Sequence, residues 1–300
     1  AMNSVRKDIA CALVKERSLL SLAYSDEYFR QCEFSSAVKQ KVVQELMAKQ
    51  YLEEYLSLHP TVDTLWIQYA DPLSGESVSL DDLAELSLER GLRWVIDAET
   101  QFGADRIDTE QWPVDLIISR CDASLHAPGG GAILLQRKAN KSNTCTGAPL
   151  LFQLPSCAQQ ISDENLQNSV GSVEFPSHWL QGLSVALKEL NKIGGWSARK
   201  RHYQRHQSGM QRLLKRYGVE ATSSEKAFPG VQRYQLPDLM PKKRLAEELL
   251  RQGFIIDTKL TQEEHQVVIA LMGDMDELPL ARLHQALEDI LHPISVNIDH

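Results

Sequence analysis

Apolar residues in the stretch SSAVKQKVVQELMAKQYLEEYLSL, residues 35–58, recur at helical spacing through Val38, Val42 and Leu46, with Val43 and Met47 alongside, which predicts one long helix. Pro60 stops it. TLWIQYA (64–70) then reads as a strand, DPLSGES as a turn, and SLDDLAELSLERG as a helix opened by a capping box of Ser79 and Asp82 and closed at Gly91. RWVIDAE follows as a second strand. Strand, helix and strand within about thirty residues form a βαβ unit and imply a parallel sheet, with the loops after its strands gathered on one edge. VDLIIS (114–119) and GAILLQR (131–137) are two more apolar runs suited to a sheet interior.

Polar, aperiodic stretches after Arg137 read as loops or a crossover. From Ser177 the pattern is helical again, in two segments broken at Gly194–Gly195. VQRYQLP, GFIIDTKL and HQVVIALMGD have strand character, and Leu280, Leu283, Leu287 and Ile290 mark a last amphipathic helix. The expected fold class is α/β, with a large domain over 1–168 and a smaller α+β domain over 169–300, divided near 165–175.

Composition narrows the function classes. The chain has 300 residues, 43% of them apolar, enough for a substantial core. No apolar run approaches the roughly 18 residues of a membrane span and the start has no signal-peptide pattern, so a soluble, cytoplasmic protein is expected. Cys11, Cys32, Cys121, Cys145 and Cys157 are odd in number and scattered, which indicates neither a disulfide framework nor a zinc site. A net charge of −8 argues against nucleic acid as the main partner.

Candidate chemistry centres on SRCDASLHAPGGGAILLQRK, residues 119–138, a loop between two apolar strands where cofactors often dock. WVIDAETQFGA, VDLIIS, DASLHAPGGGAILLQR, KIGGWSARKRHYQRH, GFIIDTKLT and VVIALMGDMD occur in an order that resembles the class V aminotransferases, fold-type I pyridoxal phosphate enzymes, and among them the 2-aminoethylphosphonate:pyruvate aminotransferases. The resemblance runs from about residue 60 to the end. It is most characteristic in the GG-x-x-AR-x-x-x-Y stretch at 194–203 and the GF…KLT…GD stretch at 253–274.

That resemblance implies a truncated fold-type I large domain with a parallel or mixed sheet. It also implies a Schiff-base lysine, a carboxylate beside the pyridine nitrogen, a glycine-rich phosphate turn and an arginine for the substrate carboxylate. Asp97 matches the carboxylate. The lysine position falls on Ala123, whose methyl group cannot form an imine, and the arginine position on Val268, with Gly273 and Asp274 setting the register. The phosphate turn belongs between the first helix and the strand at 64, where only HPTVD remains.

Other residues offer weaker substitutes. Lys141 lies after the strand ending at Arg137, on the far side of the glycine cluster, and reads as a solvated loop lysine. His126 is nearer the vacant position and is a candidate base, set against a plain hydrogen-bonded loop histidine. The basic run Arg199, Lys200, Arg201, Arg205, Arg212, Lys215 and Arg216 reads as the wet side of a helix rather than a phosphate site. Cys121 reads as a small half-buried residue, and Gly129–Gly131 as a turn that allows close packing.

The expected function is that of a degenerate class V aminotransferase-like protein acting as a binding, scaffold or partner subunit. A homodimer is expected, with a protein partner in a biosynthetic complex a further option, and no membrane or nucleic acid. No cofactor is expected, or pyridoxal phosphate held non-covalently at best, by Asp97 and His126. The alternative is an active enzyme, using either a displaced lysine with pyridoxal phosphate or a cofactor-free reaction around Asp97 and His126.

Overall fold

Strands without polar alternation occupy the centre of the molecule. The computed structural model, which describes residues 6, 9, 19–23, 28–30, 39–42, 49–77, 79–137, 177–224, 227–273 and 277–295, orders six strands β2-β1-β3-β4-β5-β6. They are β1 (Leu19–Ala23), β2 (Lys39–Val42), β3 (Thr64–Gln68), β4 (Arg93–Asp97), β5 (Val114–Arg120) and β6 (Ala132–Gln136). The first five pair in parallel, and β6 joins β5 antiparallel, giving the mixed sheet that was expected. β3 is buried at all five positions, as a parallel strand covered on both faces must be. On one face Leu20, Leu65, Ile67, Trp94 and Ile96 pack with Leu52 and Leu56 of α1 (Lys49–Leu58) and Leu83 and Leu86 of α2 (Leu80–Glu89). On the other, Trp66, Val95 and Ile118 pack with Ile9.

The long helix expected over 35–58 is corrected. Residues 39–42 are strand β2, paired with β1 from Leu20↔Lys39 to Ala23↔Val42, and the helix begins only at Lys49. The valines of this stretch satisfy helical spacing, but β-branched residues also suit a strand, and a free edge of the sheet decides between the two. β1, a five-residue apolar run, carries no periodicity that separates strand from helix, which is why it escaped notice. Ser79 holds the expected N-cap position of α2 but makes no side-chain cap bond, so the capping box is not formed. The other end is as expected: Arg90 caps α2 and Gly91 follows at φ 66°.

A second, antiparallel sheet, β7 (Glu220–Ala221), β8 (Val231–Gln235) and β9 (Gln266–Ala270), is flanked by α3 (Ser177–Ile193), α4 (Gly195–Lys215), α5 (Lys242–Arg251) and α6 (Glu277–Ser295). The Gly194 break between α3 and α4 is as expected. GFIIDTKL is not a strand. Phe254 N–H instead donates back to Leu249 O at the end of α5, and Ile255 is 86% exposed, without a ladder partner to pair with. The domain boundary near 165–175, the polar stretch after Arg137, Lys141 and Asp274 lie outside the described residues.

The two sheets meet at a close backbone joint. Phe228 N–H donates to Gly75 O at 2.6 Å, and Gly75, at φ 75°, has Val231 O only 2.5 Å from where a side-chain carbon would stand. Ser224 hydroxyl donates to Glu76 at 2.7 Å, and Ala70, Ala104, Tyr203 and Phe228 fill the space between. The β9 end is thereby set against the loops that follow β4 and β5.

α4 and α6 pack through His206 and His284, whose Nδ1 and Nε2 respectively are buried without a partner among the described residues. Burial lowers both pKa values below 6.5. His202, Arg205 and His284 add repulsion at His206, and Arg216 does so at His284. The folded chain therefore refuses protons that the unfolded chain accepts, so this stability is present above pH 6.5 and lost as pH falls through it. Thermal denaturation should show a Tm that declines below pH 6.5, with a shallower decline in His284→Leu; an unchanged decline in that variant would contradict the assignment.

Candidate functional site

Parallel strands end together, and the loops after them collect polar groups at one edge. Asp97 is the last residue of β4, flanked by Gln68 of β3 and Ile118 of β5. It is 1% exposed. Such a carboxylate needs a charge partner or must take up a proton. Arg6 supplies the charge: its Nε donates to Asp97 Oδ2 at 2.5 Å and its Nη2 to Glu99 Oε2 at 2.6 Å, while the guanidinium carbon lies 5.1 Å from the Tyr28 ring centroid. Tyr28 hydroxyl donates to the same Oδ2 at 2.6 Å and accepts the indole N–H of Trp66 at 2.9 Å.

Burial pushes the Asp97 carboxyl above 3.8, against the pull of Arg6 and Tyr28. Burial also opposes the Arg6 charge, but Asp97, Tyr28 and Glu99 more than offset it. Both shifts favour the protonated form, which keeps Arg6 charged and works against the charge on Asp97. A guanidinium does not deprotonate in proteins, so Arg6 stays charged between two carboxylates and Asp97 is the group whose ionisation burial disfavours.

The charges continue outward. Arg120 Nη1 lies 3.3 Å from Glu99 Oε1, and its Nε and Nη2 grip both oxygens of Asp122 at 2.8 and 2.7 Å. This two-pronged bond holds the Asp122 carboxyl below its usual range. Beside it lies a cavity of about 320 Å³ lined by Glu99, Thr100, Arg120, Asp122 and Ala123 from the parallel-sheet side and by Ala270, Met272 and Gly273 after β9. No lysine is among these residues.

The expected site residues separate. Ala123 and Gly273 share the cavity wall. Asp97 is not among the lining residues and is engaged by Arg6 and Tyr28. His126, with φ 60°, lies on the other side of the loop: its Nε2 is 2.9 Å from Tyr203 hydroxyl, and Arg199 Nη1 sits 2.6 and 2.8 Å from its two ring nitrogens. Those nitrogens face opposite ways, so the guanidinium lies across the ring. Arg199 also donates to Ser124 O at 2.8 Å and is 6% exposed, which corrects its place on the wet side of α4; Lys200 too is engaged, with Asp105 at 2.6 Å. Val268 is buried in β9 opposite Arg233.

The remaining loop features are structural. Cys121 is fully buried, its thiol donating toward Pro128 O at 3.1 Å and Gly131 O at 3.3 Å. A side-chain carbon on Gly131 would come within 2.0 Å of the Trp179 ring, so the glycine cluster admits α3 rather than cradling a phosphate. Among the described residues no His, Cys, Asp and Glu group of three or more is placed to hold a metal, and no helix is long and apolar enough to cross a membrane.

The mixed sheet, the small antiparallel sheet and a polar cavity between them define an α/β scaffold of the fold-type I aminotransferase kind. Alanine–glyoxylate aminotransferase from Nostoc sp. superposes over 97% of this chain and 80% of its own, with a TM-score of 0.78 and 17% identity. Ureidoglycine–glyoxylate aminotransferase from Bacillus subtilis does so over 96% and 78%, with a TM-score of 0.79 and 16% identity. In sequence, the chain is 25% identical over 249 residues to a curated protein of Salmonella paratyphi A named 2-aminoethylphosphonate–pyruvate transaminase. The match covers 81% of this chain and 66% of that relative's length. No protein-family model matches. The resemblance to class V aminotransferases thus holds in both sequence and fold, and the expectation of no cofactor finds no support in these relatives, all named as aminotransferases or transaminases.

Arg6, Tyr28, Glu99 and Arg120 went unnoticed in the sequence. Glu99 lies two residues after Asp97 and Arg120 two before Asp122, spacings that carry a signal in extended chain. Arg6 stands 91 residues from Asp97, where no spacing speaks. Asp97→Ala removes the carboxylate that holds Arg6, and urea denaturation should register a loss of about 3 kcal/mol. A loss under about 1 kcal/mol would mean that the ion pair is not a structural element.

Proposed function

We propose that this chain is a class V aminotransferase-like protein that does not transaminate and acts by binding, as a homodimeric scaffold or partner subunit. Ala123 is the observation that carries the reading. It stands where the resemblance puts the imine lysine, on the wall of the cavity, and no other wall residue among the described residues bears an amine. Val268, in the place of the substrate arginine, is an uncharged side chain buried in β9 and cannot grip a carboxylate.

The residues present also do not fit pyridoxal phosphate. A pyridine ring beside Asp97 would have to displace the Arg6 guanidinium, which already supplies the opposite charge to that carboxylate. What the cavity offers is a fixed pattern of charge, Arg120 flanked by Glu99 and Asp122, suited to recognition. Association is supported by α3, where Leu180 and Leu187, seven residues apart on one face, are 47% and 44% exposed; a second copy of the chain would cover them.

The test is to mix the protein with pyridoxal 5′-phosphate, 2-aminoethylphosphonate and pyruvate. No visible imine band, no borohydride-trapped adduct and no alanine formation are expected. A trapped adduct on any lysine, Lys141 included, would overturn the reading.

A further inference from the structure

We propose that the place beside Asp97 is a receptor for a planar cation, which this chain fills with its own Arg6. Arg6 is 3% exposed. Two of its in-plane donors are taken by different carboxylates, Asp97 and Glu99, and its guanidinium carbon lies over the Tyr28 ring, 5.1 Å from the centroid. Recognition at the edges by fixed acceptors and on the face by an aromatic ring selects a flat, delocalised cation of the guanidinium type. An ammonium ion has neither a face to stack nor a rigid fork to span two acceptors.

The receptor is built independently of the arginine. Tyr28 is held at Asp97 Oδ2 by its own hydroxyl and anchored from behind by Trp66, while Glu99 is held from outside by Arg120. Asp97 Oδ1 is equally buried and has no partner among the described residues, so the carboxylate retains accepting capacity that Arg6 does not use. Arg6 therefore acts as a tethered ligand, and a free planar cation of the same kind replaces it when the tether is cut. The inference rests on the reading that Asp97 faces no cofactor in this chain.

The experiment is chemical rescue of Arg6→Gly in the full chain, read by thermal denaturation. The variant should lose roughly 5 °C or more in Tm. Millimolar methylguanidinium chloride should restore the loss saturably in the variant and leave the wild type unmoved, while methylammonium chloride at the same concentration restores nothing. Equal effects of the two salts, or no effect of either, would overturn the proposal. If Arg6→Gly does not fold, Arg6→Lys carries the test: it keeps the charge without the planar fork, and a Tm within about 1 °C of wild type would overturn the proposal just as surely. An imine band in the wild type would instead sink the underlying reading, and the two failures are read by different signals.

Discussion

A carboxylate fixed at the buried end of a central strand is the constraint on which the site depends. The Asp97 backbone is locked between β3 and β5, and at 1% exposure its carboxylate is shut off from bulk solvent. In such surroundings a charge is kept only beside an opposite charge with directed hydrogen bonds. The chain answers with Arg6, and the answer has consequences outward: Arg6 recruits Glu99, Glu99 meets Arg120, and Arg120 clamps Asp122 at the mouth of the cavity. One buried group thus organises a ladder of alternating charge that ends beside Ala123.

The same ladder limits the chemistry. Arg120, the basic group among the described cavity residues, is already engaged by two carboxylates, and Asp97 Oδ2 is held by the chain's own guanidinium. The scaffold around it is intact all the same. The fold superposes on two proteins named as aminotransferases over 97% and 96% of this chain. Fold and reactive groups are separable, because packing needs apolar volume in the right order whereas chemistry needs particular atoms at particular points.

Much of the fold was legible in the sequence. β3, β4 and β5 announced themselves as apolar runs, α2 by Ser79 at its start and its closing glycine, and the α3–α4 break by paired glycines. The first helix misled because valines satisfy helical and strand patterns alike, and GFIIDTKL because two adjacent isoleucines suggest a ladder that no neighbouring strand supplies. At the site, Asp97 and Ala123 could be placed by motif order, since both follow strands. Arg6 and Tyr28 could not: their contact with Asp97 joins parts of the chain 91 and 69 residues apart, and only tertiary packing creates it. His126 reads from the sequence as either a candidate base or a hydrogen-bonded loop histidine, and its ring is engaged by Tyr203 and the buried Arg199.

The most direct measurement is nitrogen-15 NMR of the arginine side chains at neutral pH. If Arg6 is locked against Asp97, one Nε–H signal should be shifted away from the others, exchange slowly with solvent and move in Asp97→Asn. Fast exchange at every arginine Nε–H, unchanged by that substitution, would mean that Asp97 is neutralised some other way and that the site is open.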